Sequence, residues 1–544
     1  MAYVITQNCC KDASCVPVCP VDCIRPVGGA GDLSGTQMST AQNSTATMLY
    51  IDPESCIDCG ACLDECPVGA IHYDEDLPPH LERFKAMNAA YFERHPLEPD
   101  ATSARSSRAA VAHGSLRVAI VGAGPAACYA AAELIDADGV EVDLFERLPT
   151  PFGLIRAGVA PDHLHTKSVT NLFDHVFTSK RFGCHLNVEV GRDVTHDDLL
   201  AHHHAVIYAF GAATSRTLGI PGEELPGSHA ASDFVGWYNG HPDHAARSFD
   251  LGASRAVIVG NGNVALDVAR VLLMGSDGLA DTDAAEHALD ALRDGAVDEV
   301  VILGRRGLRD AAFSVGEFLA LGHLDGVDVV IEPGDVPDGD DTDVETSFKL
   351  EVASEYAHRA PTPGNKRIVF RFNATPAEVI GVERAEGVRL DGGEVIDAAL
   401  ILRSIGYRGA PMPGLAYDDA NGVISNDHGR VLDGSGLPVP GVYVTGWIKR
   451  GPRGVIGTNR ACAEETVAAL WDDLAAGLLD RVVDDRDALQ ALLTARGARP
   501  IPWRGWRAID EAERARGTAA SRPRVKFVAV AEMLSAAQPQ SVPT

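Results

Sequence analysis

The chain has 544 residues, of which 46% are hydrophobic and 23% charged, a globular composition long enough for three or four domains. Its formal net charge of −29 argues against nonspecific nucleic-acid binding, which needs a basic surface. No N-terminal stretch has the pattern of a secretion signal, and the longest uncharged apolar stretch, Val118 to Ala132, is too short to cross a bilayer. We therefore expect a cytoplasmic protein with no nucleic-acid or membrane partner.

The cysteines are concentrated at the N-terminus, where disulfides are not expected without an export signal. Nine of the twelve lie at positions 9, 10, 15, 19, 23, 56, 59, 62 and 66. Cys56, Cys59, Cys62 and Cys66, followed by Pro67, have the spacing with which bacterial ferredoxins ligate a [4Fe–4S] cluster. A zinc site is the alternative, but the usual second pair at a suitable separation is missing, and thiolates suit iron–sulfur clusters.

The earlier run is a degenerate copy, Cys9-x2-Asp12-x2-Cys15-x3-Cys19-Pro20. The first 75 residues thus resemble the bacterial seven-iron and Asp-ligated ferredoxins. That resemblance assigns one cluster to Cys9, Cys15 and Cys66 and the other to Cys19, Cys56, Cys59 and Cys62. Because a carboxylate is a harder and poorer ligand than a thiolate, the fourth iron at Asp12 should be labile. We expect a [4Fe–4S] cluster in the second site and a [3Fe–4S] or Asp-ligated [4Fe–4S] cluster in the first.

The N-terminal region is acidic and is followed by a connector. Residues 1–80 contain eleven acidic side chains against Lys11 and Arg25, a side-chain charge of −9 before any cluster is counted. Such a field can steer the region toward a basic face. Gly28 to Thr47 is predicted as a flexible loop, and Leu77 to Ser115, with a helical stretch around Leu81 to Arg94, as a tether.

A dinucleotide-binding unit begins at Leu116. The apolar run Val118–Val121 predicts a buried parallel strand, and Gly122, Gly124 and Ala127 follow at G-x-G-x-x-G/A spacing. A second predicted strand, Val140 to Phe145, ends on Glu146, which can bind both hydroxyls of a ribose. The N-terminus of the intervening helix can bind the pyrophosphate of FAD or NAD.

The segment from Pro149 to Lys167 resembles the region after the FAD-binding acid in adrenodoxin-reductase-like ferredoxin–NADP reductases, and the resemblance runs from Leu116 to Lys526. That family has an FAD domain with an NADP domain inserted into it. The FAD contacts that it implies here are Gly122, Ala123, Gly124, Glu146, Leu154, Trp447, Gly454, Val455 and Ile456. Gly454 is also expected to touch the nicotinamide nucleotide, with His163 and Glu317 as the polar side chains to test for catalysis.

A second dinucleotide unit starts at Arg255, with a predicted strand Ala256–Val259 and the turn residues Asn261, Gly262, Asn263 and Val264. The next strand, Val300 to Leu303, leads to Arg305 and Arg306 instead of an acid. Forked arginine donors can bind a 2′-phosphate that a carboxylate would repel, so the pair favours NADP(H) over NAD(H). The resemblance also implies that Glu317, in the following helix, contacts the nucleotide, whereas the family's second carboxylate three residues further on is replaced here by Ala320.

The predicted fold is an α+β ferredoxin domain with two iron–sulfur clusters, followed by an α/β flavoprotein reductase with two Rossmann-like domains. The expected boundaries are 1–76 for the ferredoxin, 77–115 for the linker, 116–214 and 405–544 for the FAD domain, and 215–404 for the NADP domain. Pro333 to Glu345 is predicted as a solvated acidic loop. The last 15 residues are predicted as a frayed tail.

The chain is therefore predicted to transfer a hydride between NADPH and FAD, and then single electrons to its clusters and to acceptor redox proteins, such as cytochrome P450-type or other ferredoxin-dependent enzymes. A disulfide reductase would need a cysteine pair near the flavin, and residues 215–405 contain no cysteine. The remaining alternative is an electron-wiring subunit of a glutamate-synthase-like complex. Lys449, Arg450 and Arg453 place three cations beside the expected flavin edge, where they could hold phosphate or dock the acidic ferredoxin, and docking is favoured.

Overall fold

The computed structural model describes residues 2–26, 46–97, 110–337, 339, 341 and 343–538. Most of the predicted loop Gly28 to Thr47 and of the connector segment 101–110 lies outside these ranges. Among the helices of the described residues, none is both long enough and apolar enough to cross a membrane.

The N-terminal part is a small α+β unit with two antiparallel strand pairs, β1 with β4 and β2 with β3. Its elements are β1 (Tyr3–Ile5), β2 (Ile24–Arg25), β3 (Tyr50–Ile51), α1 (Ala61–Asp64), β4 (Ile71–Tyr73) and α2 (Arg83–Arg94). The cysteine loops lie between these strands.

Helix α2 packs on the ferredoxin strands, which differs from the tether predicted over residues 77–115. Phe84 and Met87 are fully buried. The Asn88 side-chain oxygen accepts hydrogen bonds from the backbone N–H groups of Ile5 (3.3 Å) and Ile51 (2.8 Å), and its nitrogen donates to the Ile5 carbonyl (2.9 Å). A buried amide that is bonded at both ends holds the helix against β1 and β3.

The next segment begins the large flavoprotein part, and its strands follow the predicted order. Its elements are β5 (Leu116–Val121), α3 (Pro125–Ile135), β6 (Val140–Glu146), α4 (Leu154–Ala157), α5 (Leu164–Lys167), α6 (Asp174–Phe177), β7 (Phe182–Leu186), α7 (His196–His202), β8 (Ala205–Tyr208) and β9 (Thr214–Ser215). The strands β8, β5, β6 and β7 are parallel neighbours in a sheet. Because β5 is central and buried on both faces, all six of its residues are buried.

The middle of the chain forms a second sheet, in the order β10-β18-β11-β12-β14-β13, with all neighbours parallel. Its elements are β10 (Ser228–Ala230), α8 (Ala231–Tyr238), β11 (Arg255–Val259), α9 (Asn263–Gly278), α10 (Glu286–Arg293), β12 (Glu299–Leu303), α11 (Val315–Leu321), β13 (Val327–Ile331), α12 (Val344–His358), β14 (Lys366–Arg371), β15 (Pro376–Gly381), β16 (Ala385–Leu390), β17 (Val395–Asp397), β18 (Leu400–Arg403) and β19 (Tyr407–Arg408). Strands β15, β16 and β17 make a separate antiparallel sheet.

The last segment returns to the first sheet, where β24 pairs with β8 in parallel and extends the order to β22-β23-β24-β8-β5-β6-β7. Its elements are β20 (Tyr417–Asp418), β21 (Val423–Ile424), β22 (Asn426–Asp427), β23 (Arg430–Leu432), β24 (Pro438–Val444), α13 (Trp447–Arg450), α14 (Thr458–Ala475), α15 (Arg486–Ala495), α16 (Trp503–Ala519) and α17 (Val530–Ala536). The frayed tail predicted for the last 15 residues is wrong over α17, because Met533 is buried in the core beside Trp506.

Candidate functional site

The first glycine turn has the shape that a dinucleotide requires. Gly122 has φ +105°, and a Cβ there would lie 2.7 Å from the Ala209 carbonyl oxygen, so only glycine fits. A Cβ on Gly124 would meet nothing within 4 Å, which leaves open space at the N-terminus of α3. The free N–H groups of this helix end therefore face a space where a pyrophosphate can bind.

Glu146 and Leu154 both lie beside this turn. The carboxylate of Glu146 accepts hydrogen bonds from the N–H groups of Ala123 (3.0 Å) and Leu148 (2.9 Å), and burial raises its pKa. Each oxygen keeps a lone pair for a ribose hydroxyl. The segment that carries Leu154 is held against the turn, because the N–H of Phe152 donates to the Ala123 carbonyl at 2.8 Å.

The loop after β24 is placed at the same, N-terminal end of α3 as the glycine turn. A Cβ on Gly446 would lie 2.5 Å from the Cβ of Ala126, so the start of α13, with Trp447, touches α3. Gly454, Val455 and Ile456 follow and lead into α14. The structure therefore brings the predicted FAD residues of the two separate segments onto one continuous surface.

Arg450 supplies an independent sign that this surface binds a polar cofactor. One guanidinium nitrogen donates to the Asn459 side-chain oxygen at 3.2 Å, but Nε and Nη1 are buried without a hydrogen-bond partner. Burial lowers the Arg450 pKa, which the nearby Cys462 thiol offsets in part. A buried cation left with free donors is costly unless a ligand supplies acceptors, and the FAD predicted beside it fits that need.

The prediction that Lys449 and Arg450 dock the ferredoxin is wrong. Lys449 is only 8% exposed, and its ammonium group bonds the Glu465 carboxylate at 2.5 Å and the Thr466 hydroxyl at 3.0 Å. Arg450 is turned inward, as described above. Of the three cations, Arg453 alone is exposed, because a charged group that is enclosed by the fold must be paired internally.

The second glycine turn repeats the geometry of the first. Gly260 has φ +113°, and a Cβ there would lie 2.1 Å from the Ser404 carbonyl oxygen. The side chain of Asn261 reaches Gly304 at the end of β12, and the Asn263 side-chain oxygen accepts the N–H of Ser314 at 2.7 Å. These contacts hold the turn residues Gly262 and Val264 at the start of α9.

Arg305 and Arg306 follow β12 and are both exposed at the edge of this turn. Arg306 makes a 3.2 Å ion pair with Asp310, in which both side chains are more than half exposed. A surface pair of this kind contributes little by itself, so it is easily exchanged for a phosphate. The arginines thus lie where a 2′-phosphate on a nucleotide in the second turn can reach them.

His163 and Glu317 meet at a buried arginine that the sequence analysis missed. Arg270, on α9, is 3% exposed and donates to Nε2 of His163 at 2.8 Å. Since a guanidinium cannot accept, this contact requires that His163 carry its proton on Nδ1. Glu317 lies 3.4 Å from Arg270 and 3.8 Å from His163, and burial raises the Glu317 pKa.

Two aspartates complete the group of side chains around Arg270. Asp162 and Asp267 contact Arg270 at 2.6 and 2.7 Å. His163, Asp267 and Glu317 offer ligand atoms within 4.8 Å of one another, but the Arg270 guanidinium already supplies positive charge to both carboxylates. The position of Arg270 within a mostly apolar helix is the one sequence signal that could have pointed to it.

The four cysteines that the resemblance assigns to the second cluster line one small cavity. The pKa of the Cys62 thiol is raised to about 11, by burial first and then by the neighbouring thiolates of Cys56, Cys19 and Cys59. This convergence of four thiols fits a [4Fe–4S] cluster. Cys23 lines the same cavity, with its sulfur 3.4 Å from that of Cys19.

The first set also converges. Burial raises the pKa of Cys15, and Cys9 and Cys66 are its next strongest influences. The Cys9 sulfur accepts the N–H groups of Lys11 (3.4 Å) and Leu49 (3.5 Å). Such donors to sulfur are among the features by which a protein tunes an iron–sulfur cluster.

Asp12, at the place of the missing fourth cysteine, is only 4% exposed and faces the flavoprotein. One carboxylate oxygen accepts the Tyr129 hydroxyl of α3, and the other accepts the N–H of Ser14 at 3.1 Å together with the Ser14 hydroxyl. Arg460 of α14 donates to the Asp12 backbone carbonyl at 3.0 Å, with 3.9 Å between its guanidinium and the carboxylate.

The loop of the first cysteine set is docked on the FAD-binding segment. The N–H of Gly457 donates to the Cys10 carbonyl at 2.8 Å. A Cβ on Gly457 would lie 1.9 Å from the Lys11 carbonyl oxygen, so the two backbones are in close contact. Cys10, Val68 and Ala70 share a hydrophobic core with α3.

A second contact joins the ferredoxin unit to the middle of the chain. Glu345, predicted in a solvated loop, is buried and accepts the N–H of Thr47 (2.6 Å), its hydroxyl (2.9 Å) and the Tyr50 hydroxyl (2.8 Å). The sequence analysis missed Tyr129, Arg460 and Glu345 because no local pattern marks a residue that meets a distant segment.

The two cysteine sets differ in their most exposed member, although Cys15 of the first set and Cys62 of the second are each 7% exposed. The loop of Cys15 is covered by the flavoprotein. Cys59 is exposed, and Ile57 beside it is 59% exposed. We call the exit face the surface formed by Val21, Glu54, Ile57, Cys59, Leu63, Asp64 and Glu65, all of which are exposed.

Comparisons with known proteins agree with this architecture. Residues 49–72 match a 4Fe-4S binding domain, and residues 116–303 match the pyridine nucleotide-disulphide oxidoreductase family. A probable ferredoxin/ferredoxin–NADP reductase of Mycobacterium tuberculosis H37Rv is 48% identical, covering 99% of this chain and 95% of its own. One of Mycobacterium leprae is 46% identical and is covered over 98% of its length. The chain belongs to the ferredoxin/ferredoxin–NADP reductase family.

The flavoprotein part also matches a solved structure. The M. tuberculosis protein FprA in complex with NADPH is 44% identical, with a TM-score of 0.73, and covers 78% of this chain and 99% of its own. The predicted family and the predicted fold, a ferredoxin unit followed by a two-Rossmann flavoprotein, are confirmed.

Proposed function

We propose that this chain carries electrons from NADPH through FAD to its first cluster, then to its second cluster and out to acceptor redox proteins. Bound FAD would supply the chemistry that converts a hydride into single electrons. The observation that carries this order is the contact of the Cys10 to Asp12 loop with Gly457, next to the predicted FAD residues Gly454, Val455 and Ile456.

The two dinucleotide turns would hold the two nucleotides. Glu146 would bind the ribose of FAD, and Arg450 would donate to a polar edge of the cofactor. Arg305 and Arg306 would bind the 2′-phosphate of NADP(H). On the nicotinamide side, Arg270 would orient His163 by donating to its Nε2, with Glu317 beside both side chains.

The exit face would dock the acceptor. Its centre is apolar, at Ile57 and Leu63, and its acids are Glu54, Asp64 and Glu65. This arrangement suits a partner with a basic rim around its own redox centre. Cytochrome P450-type and other ferredoxin-dependent enzymes are the acceptor classes that we propose.

We make three further proposals, which concern the first cluster, the domain boundaries and the location of the protein. The first cluster is proposed as a [3Fe–4S] cluster on Cys9, Cys15 and Cys66, because the Asp12 carboxylate would have to turn from, or weaken, its bonds with Ser14 and Tyr129 to bind iron. The boundaries predicted for the FAD and NADP domains follow the two sheets, and helix α2 is grouped with the ferredoxin. The cytoplasmic location remains a prediction from the sequence.

The contact between Gly457 and the Lys11 carbonyl can be tested with a substitution that introduces a methyl group there. Gly457→Ala keeps an allowed backbone, φ −67°, but drives a methyl group into the Lys11 carbonyl. We expect NADPH-driven cluster reduction, followed by stopped-flow absorbance, to slow by at least about tenfold, because a displacement near 1 Å can cost even more. In the intact chain this rate should not depend on protein concentration.

Gly434→Ala is the matched control, since a Cβ there would meet nothing within 4 Å. Flavin reduction by NADPH, recorded in the same traces, separates a defect in the first step from one in the second. A cluster-reduction rate that rises with protein concentration, or that is the same in both variants, contradicts the proposed internal path.

The glutamate-synthase-like wiring subunit is the weaker candidate. Relatives that are matched over nearly their whole length are themselves named ferredoxin/ferredoxin–NADP reductases. Reduction of an external acceptor by the purified chain with NADPH alone would exclude a requirement for a larger complex.

A further inference from the structure

Tyr129 and Arg460 are flavoprotein residues that contact the ferredoxin loop at the position of its missing ligand. Tyr129 lies on α3, within the first dinucleotide unit, and Arg460 on α14. They stand 117 and 448 residues from Asp12 in the chain. Neither residue is among those predicted to bind FAD, NADP(H) or iron.

One oxygen of the Asp12 carboxylate accepts both donors of Ser14, and the other accepts the Tyr129 hydroxyl and keeps one lone pair. For either oxygen to bind iron, the carboxylate must turn away from its donor or share charge with it. The Tyr129 hydroxyl donates to the second oxygen, so it fixes the direction of that oxygen's remaining lone pair and draws charge from it, which weakens its bond to a metal. Hydrogen bonds to a charged group are the stronger class, and this one is buried.

Arg460 restrains the backbone of the same residue. Its guanidinium donates to the Asp12 carbonyl at 3.0 Å and to the Ser14 hydroxyl at 3.4 Å, and Glu464 holds it from the other side at 3.3 Å. The carboxylate is therefore fixed from both ends, by Tyr129 at the side chain and by Arg460 at the backbone.

We infer that Tyr129 and Arg460 are positioning residues that hold Asp12 away from the fourth iron, so that the flavoprotein sets the iron content of the first cluster. This inference rests on the proposed assignment of that cluster to Cys9, Cys15 and Cys66. The step concerned is the uptake of iron by the one-electron-reduced cluster, [3Fe–4S]⁰ + Fe²⁺ → [4Fe–4S]²⁺, in which Asp12 is the available protein ligand. Docking of the two domains thus disfavours the four-iron form.

The test is Fe²⁺ uptake by the full-length holoprotein of wild type and Tyr129→Phe. Dithionite supplies the electron, Fe²⁺ is titrated under anaerobic conditions, and the three-iron EPR signal after reoxidation and the iron content per chain are recorded. We expect about tenfold tighter Fe²⁺ binding in Tyr129→Phe, the factor that corresponds to one hydrogen bond to a charged group.

Tyr208→Phe is the matched control. It removes a buried tyrosine hydroxyl of the same domain, which lies 2.6 Å from His196 and does not contact Asp12. Its Fe²⁺ affinity should equal that of wild type. Equal affinities in wild type and Tyr129→Phe, or an equal increase in both tyrosine variants, would overturn the inference.

Arg460→Gln tests the same inference if Tyr129→Phe loses FAD or clusters on purification. It should shift Fe²⁺ affinity in the same direction, and an unchanged affinity in that variant would overturn the inference. Cluster reduction by NADPH is followed in the same wild-type sample. Because dithionite replaces NADPH in the iron titration, failure of the proposed electron path would leave the Fe²⁺ comparison intact and would be recognised separately.

Discussion

The two cysteine sets come from nearly duplicate runs, yet the loop of the first is covered by the flavoprotein, whereas the second has an exposed member, Cys59. The first set is enclosed between the ferredoxin strands, α3 and α14, and its missing ligand position contacts Tyr129. The second set lines a cavity next to the exposed residues Ile57 and Cys59. The small domain thus acquires an inner and an outer side because a large flavoprotein covers one of its two sites. In the proposed function, this asymmetry sets the order in which the two clusters carry electrons.

The largest expected effect comes from removing one ligand of each set. Cys59→Ala should abolish reduction of an acceptor protein through the clusters while NADPH still reduces the first cluster. Cys15→Ala should abolish both steps, because the first site lies upstream. EPR of each NADPH-reduced variant, with cytochrome c as the acceptor, measures the two outcomes. Full acceptor reduction without the second cluster would show that the outer site is not the exit.

Asp12→Cys is expected to make the two sites more alike. A thiolate at this position completes the four-cysteine spacing and is a better iron ligand than a carboxylate. The variant should hold a stable four-iron cluster after aerobic purification, whereas wild type is expected to show the three-iron EPR signal. Two intact four-iron clusters in wild type, with no three-iron signal, would contradict the asymmetry.

Weakening the proposed NADPH site should slow the reduction of both clusters equally. Replacing Arg305 and Arg306 with alanine should lower kcat/KM for NADPH by about a hundredfold, at roughly tenfold for each charged hydrogen-bonding side chain, and raise KM for NADPH far more than KM for NADH. Steady-state kinetics with both nucleotides provide the measurement. An equal loss for NADPH and NADH would assign the arginines another role.

Charge reversal on the exit face should produce a smaller effect that affects only the last step. Asp64→Lys with Glu65→Lys should slow reduction of cytochrome c, a basic acceptor, by about tenfold at low ionic strength and less at high salt. NADPH-driven cluster reduction should be unchanged. The pair Asp427→Lys with Asp433→Lys, at exposed acids of the flavoprotein, is the control; the same loss there would indicate a nonspecific charge effect.

The smallest expected effect concerns pH at the contact between Glu345 and the ferredoxin unit. Burial raises the Glu345 pKa above 4.5, although Tyr50 and Thr47 act to lower it. A carboxyl group whose pKa is raised by folding takes up a proton in the folded state. Its contribution to stability is therefore fully present below the unfolded pKa and is lost as the pH rises through the folded pKa.

Relative to Glu345→Gln, the urea midpoint of wild type should thus rise as the pH falls from 8 toward 5. Loss of cluster absorbance measures the midpoint. Glu355→Gln, at an exposed ion pair with Arg83 in the same interface, is the control variant. The opposite slope for wild type against Glu345→Gln would mean that docking favours the charged carboxylate.

The sequence alone determined the parts whose chemistry lies in local spacing. Local spacing predicted the cysteine runs and the two glycine turns, because close approach to iron or phosphate permits few residue types at fixed intervals. It also predicted the strands around each turn, which lead to Glu146 in the first unit and to Arg305 in the second. The strand predicted at Val118–Val121 corresponds to Leu116–Val121 in the structure, and Arg255–Val259 likewise matches its prediction.

The tertiary structure alone decided how the parts meet. Lys449 was predicted at a docking face, but the fold buries it against Glu465, whereas Arg460, Tyr129 and Glu345 form the contacts with the ferredoxin. These contacts join residues more than one hundred positions apart, so they leave no periodic signal in the chain. Which cluster is inner and which is outer follows from them, because burial is set by the packing of whole domains and not by the spacing of the ligands.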